Sequence, residues 1–103
     1  LQGLMQRLVR EGDRDFALRG ALAEEFGARP SRERQFAALD LARAILAGEV
    51  GGAPRAGQQR IVAAHAALAR LTGQAPTYNF DAGLLIMEIG GLLASAAVPR
   101  EAA

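Results

Sequence analysis

The chain has 103 residues, enough for about one domain, and half of them are apolar. Its net charge of +1 is too small to draw it by field alone to nucleic acid or an acidic membrane. With no cysteine and one histidine, the sequence excludes disulfides, thiolate chemistry and a zinc site built on sulfur or imidazole.

All 12 basic side chains are Arg, which reads as a GC-rich, bacterial or phage-like coding sequence rather than a selected role for guanidinium groups. From Leu1 to Phe26 the apolar residues Leu1, Leu4, Met5, Leu8, Val9, Phe16, Leu22, Ala23 and Phe26 stay within an arc of about 140° at helical spacing. Gly12 and Asp13 look like a break with Asp13 as a cap, but the phase is kept across them. The spacing therefore predicts one long helix over 1–26, kinked at Gly12, about 39 Å long, and stopped by Gly27.

The second helix is expected over 31–47, with Ser31 as N-cap and Glu33 in the dipole-favoured first turn. Leu39, Leu41, Ala42, Ile45 and Leu46 form its inner arc. Residues 49–57, rich in glycine, read as a flexible connection within one domain. A third helix follows over 58–72, with Ile61, Ala64, His65, Leu68 and Leu71 inward and Arg60, Ala63, Ala67 and Arg70 outward. The turn 74–79 leads to a last helix over 80–97, capped by Asn79 or Asp81. No strand alternation or internal repeat is visible. The expected fold is all-α: a single four-helix bundle-like domain over 1–103.

The last helix is apolar on nearly every side; only Asp81, Glu88 and Ser95 form a polar strip. A membrane span is rejected because Glu88 near its middle would cost about 2.5–3.5 kcal/mol. Gly83, Gly90, Ala94 and Ala97 line up as a groove beside a ridge of Ile86, Ile89 and Leu93. One reading makes this the central helix of a monomer. The favoured one holds that three Ala-rich helices are too little to cover it, which predicts a homo-oligomer. The expected interface is Gly83, Leu84, Ile86, Met87, Ile89, Gly90, Leu93, Ala94 and Ala97. Phe36, ringed by Arg32, Asp40 and Arg43, joins it as a contact residue, or else widens the core-facing arc.

His65 reads as a structural core histidine. Leu22, Ala23, Phe26 and Gly27 match the spacing of a helix-turn-helix, but Pro30 and Glu33 break the pattern beyond the glycine. Arg29, Arg32, Arg34 and Gln35 are the phosphate contacts that reading would use. No phosphate loop, nucleophile with a base, or metal cluster is present in the sequence, so no enzyme, cofactor, metal or small-molecule substrate is expected. No signal peptide opens the chain, which suggests the cytoplasm, although Leu1 is not a start methionine and leaves room for residues ahead of it. The expected function is a non-enzymatic, self-associating helical module that acts as an adaptor or regulator for a protein partner. The alternative is a DNA-handling protein. That would be a ring-forming adaptor of a packaging or replication machine, like a small terminase-type subunit, or a helix-turn-helix regulator.

Overall fold

The computed structural model describes residues 1–27, 30–74 and 82–97. Among them are five helices and no strands: α1 Gln2–Glu11, α2 Ala17–Phe26, α3 Arg32–Val50, α4 Arg55–Gln74 and α5 Ala82–Ser95. The fold is all-α, as the periodicity predicts.

The expected single helix over 1–26 is instead two. Gly12 closes α1 with φ 76°, its N–H donating to the Leu8 carbonyl at 2.9 Å. Phe16, also left-handed at φ 64°, precedes α2. Between them Asp13 caps α2 from outside its first turn: its carboxylate accepts the N–H groups of Leu18 and Arg19, each at 3.0 Å. Asp15 accepts that of Ala17 at 3.1 Å. Three N–H groups that a helix start leaves orphaned are thereby satisfied.

The kept phase has another cause than continuity. A 26-residue rod of about 39 Å would overshoot the 14-residue α5, which is about 21 Å long. Folding back at 12–16 lets Leu8 of α1 and Leu22 and Phe26 of α2 all bury in the same core. Both helices pack on α5, so both turn their apolar arcs the same way.

Ser31 caps α3 as expected, accepting the Arg34 N–H at 3.1 Å. The connection to α4 is shorter than the sequence suggests, because 49–50 remain in α3 and 55–57 already belong to α4. Arg10 of α1 holds the end of α3 through Glu49 at 2.7 Å, while Pro54, with its fixed φ, suits the entry to α4. Only 51–54 are left as turn.

α3 and α4 lie side by side, and α5 touches all four other helices. Leu85, Ile86, Ile89 and Leu93 of α5, and Ala96 just past its end, are buried with Met5, Leu8, Leu22, Phe26, Leu39, Leu46 and Leu68. On α4, Ile61, Ala64 and Leu68 are buried as expected, with His65 and Leu71 half-buried behind them. No helix among the described residues is long and apolar enough to cross a membrane.

Candidate interaction surfaces

The residues expected to form one interface on the last helix divide in two. Ile86, Ile89, Gly90 and Leu93 are buried inside the chain's own bundle. The sequence reading fails for them because it counts three covering helices, whereas the break at 12–16 supplies a fourth. Gly83 and Leu84 are exposed, and Met87, Ala94 and Ala97 are half-buried. The outward strip of α5 is Leu84, Glu88, Gly91 and Ser95, spaced four, three and four apart so that they share one face. Leu84 is 72% exposed, the most of any large apolar side chain described. Asp81 lies outside the described residues.

Part of the expected groove, at Gly90, Ala94 and Ala97, is covered by the chain's own α1–α2 corner, while Gly83 at its other end stays exposed. A Cβ built on Gly90 would stand 2.6 Å from Cγ of Arg19, and one on Gly12 would touch the Ala97 methyl at 3.5 Å. Arg19 is fixed from three sides. Its Nε donates to the Asp13 carboxylate at 2.8 Å, its Nη2 donates to the Asp13 carbonyl at 2.8 Å, and its guanidinium lies 3.6 Å from the Phe16 ring centroid. The Asp13 side chain is only 1% exposed. Burial pushes its carboxyl upward, but the hydrogen bonds from the Arg19 side chain and the Arg19 and Leu18 backbone, with the Arg19 charge, outweigh it. The group is held below the ordinary carboxylate value. Sequence reasoning missed this cluster; the signal was Asp13 beside a potential break, with the paired glycines 90–91 needing something large to lie over them.

Those two glycines should respond oppositely to alanine. Gly91→Ala places a Cβ at an ordinary 3.6 Å from Arg19 Nη1 and gains helix propensity, so it should stabilise by about 1 kcal/mol. Gly90→Ala drives its Cβ into a side chain that Asp13 and Phe16 prevent from moving, an overpacking cost of about 1–3 kcal/mol that outweighs the propensity gain. Thermal melts of the two variants decide the matter; two equal rises would show that Arg19 is not held over α5.

Phe36 is half-buried against the core rather than presented to a partner, so its place in the expected interface is withdrawn for the arc-widening reading. Arg43, two turns further along α3, is half-buried, with its Nε enclosed and without a hydrogen-bond partner. Of the expected phosphate contacts, Arg29 lies outside the described residues. Arg32 and Arg34 are exposed at the start of α3, with the Arg34 guanidinium 5.6 Å from the Phe26 ring centroid. Gln35 turns its amide to the Pro30 carbonyl at 3.2 Å. No Cα of α2 comes within 8 Å of one in α3, so the two helices do not make the close pair of a helix-turn-helix. Among the described residues no three His, Cys, Asp or Glu side chains gather to hold a metal.

A second surface went unread in the sequence. The outer side of α4 and the end of α3 enclose an open depression of about 500 Å³, lined by Val50, Arg55, Gln59, Val62, Ala63 and Ala66 among others. Val62 is 61% exposed there. Ala63 and Arg70 face outward as expected. Comparison of the chain with protein-family models, curated proteins and solved structures found no match.

Proposed function

We propose that the chain is a non-enzymatic helical interaction module that self-associates through the outward strip of α5 and serves a protein partner as adaptor or regulator. The observation that supports this reading is Leu84: a leucine left 72% exposed, beside Glu88, on the one side of α5 that the other helices leave uncovered. Met87 and Leu92 flank its strip half-buried, so apolar surface continues to either side. A contact built on one short helix is small, which fits reversible association better than an obligate assembly.

Sedimentation and light scattering over a concentration series test it. The wild-type mass should rise above the 10.8 kDa of one chain at high micromolar concentration, and Leu84→Glu should stay monomeric with an unchanged melting temperature. A wild type that remains monomeric throughout removes this reading. The DNA-handling alternative rests on exposed Arg32 and Arg34 at the amino end of α3, where a ring of copies would multiply weak phosphate contacts. Binding to duplex DNA that falls steeply with salt would bring it forward.

A further inference from the structure

Resting on the reading of the chain as a protein-interaction module, we infer that the outer face of α4 docks an acidic amphipathic helix of a partner protein. Arg55, Gln59, Val62, Ala66 and Arg70 recur at spacings of four, three, four and four, so they lie along one side of α4. The face has a cation at each end, about 22 Å apart, and an uncharged middle in which Val62 and Ala66 follow Gln59.

Charge complementarity identifies the occupant. α4 carries no Asp or Glu over its 20 residues. Arg55 and Arg70 are both exposed, and neither makes an ion pair or side-chain hydrogen bond among the described residues. Arg55 also sits in the first turn of its helix, where the dipole disfavours a cation and favours an incoming carboxylate. A partner with carboxylates about 22 Å apart satisfies both ends; that separation is about four turns of helix. Between them an apolar stripe would cover Val62 and fill the depression toward Val50.

Other occupants fit less well. An antiparallel second copy of α4 would bring only more arginine to a face without a carboxylate. Nucleic acid would leave Val62 and Ala66 uncovered, and two phosphate contacts add little affinity.

The test uses fluorescence anisotropy on the full chain with three labelled synthetic helical peptides. All share one Leu/Ala stripe and carry Glu, Gln or Lys at both ends. The Glu-ended peptide should bind at micromolar concentration, and the Lys-ended one at least about tenfold more weakly. Val62→Asp should abolish binding, and the double variant Arg55→Glu, Arg70→Glu should reverse the preference to Lys. Both variants should keep the wild-type melting curve, since all three side chains are exposed. The inference is overturned by equal binding of the Glu and Lys peptides, by no binding, or by a preference that the double variant leaves unchanged. It is also overturned if short duplex DNA displaces the Glu-ended peptide, or if Val62→Asp lowers the mass of the oligomer. Because Leu84→Glu reports self-association separately, a failure here and a failure of the α5 contact are told apart.

Discussion

Asp13→Ala should destabilise the protein by about 1–3 kcal/mol, the range for removing a charged acceptor from half-buried hydrogen-bond donors. A domain of this size has about 5–15 kcal/mol of stability in all, so the variant should melt at least about 4 °C lower. Three losses combine. The N–H groups of Leu18 and Arg19 lose their acceptor at the start of α2. Arg19, only 16% exposed, keeps its charge without its partner. The turn 12–16, already holding two left-handed residues, loses the contact that fixes it. Asp13→Asn should fall between, because its single amide oxygen still accepts one of the two backbone N–H groups but no longer offsets the guanidinium charge.

The same pair should make stability acid-sensitive. Asp13 in the folded chain is held below its ordinary value, so it binds a proton more readily when unfolded. Its contribution is therefore fully present above the unfolded value, about 3.9, and is lost as pH falls through the lower folded one. Urea titrations across that window should show the wild type losing its advantage over Asp13→Asn as the pH drops. A constant difference between the two proteins would mean that the carboxylate charge has no part in holding the corner.

This corner is also where sequence reading and structure part. Ser31 as cap, and Leu39, Ala42, Ile45 and Leu46 as the inner face of α3, were legible because capping and 3.6-residue periodicity are local. The inward set of α4 was legible for the same reason. The break at 12–16 was not, because its determinants are the left-handed backbone at Gly12 and Phe16 and a carboxylate reaching up to six residues along the chain. Hydrophobic phase carries no trace of either. From that one misreading came the other: with one helix too few, Ile86, Ile89 and Leu93 had to be assigned to a neighbouring molecule. The outward strip of Glu88 and Ser95, by contrast, was placed correctly, since polarity along a helix reports its exposed side directly.

Ile89→Ala and Leu84→Ala should separate the two sides of α5 more sharply than any other pair. Ile89 is fully buried in the core, so truncating it removes transfer free energy and leaves a cavity, at about 2–5 kcal/mol. Leu84 is 72% exposed, and its truncation should change monomer stability by less than about 0.5 kcal/mol. Urea denaturation should show a lower midpoint for Ile89→Ala with an unchanged slope, since the surface exposed on unfolding hardly differs. The loss at Ile89 must also be independent of protein concentration, because the helices that cover it belong to the same chain. A loss that grows with concentration would mean that neighbouring molecules enclose α5, and that the single-chain bundle is not its resting state. Leu84→Ala, in turn, should weaken self-association while leaving the dilute protein as stable as before.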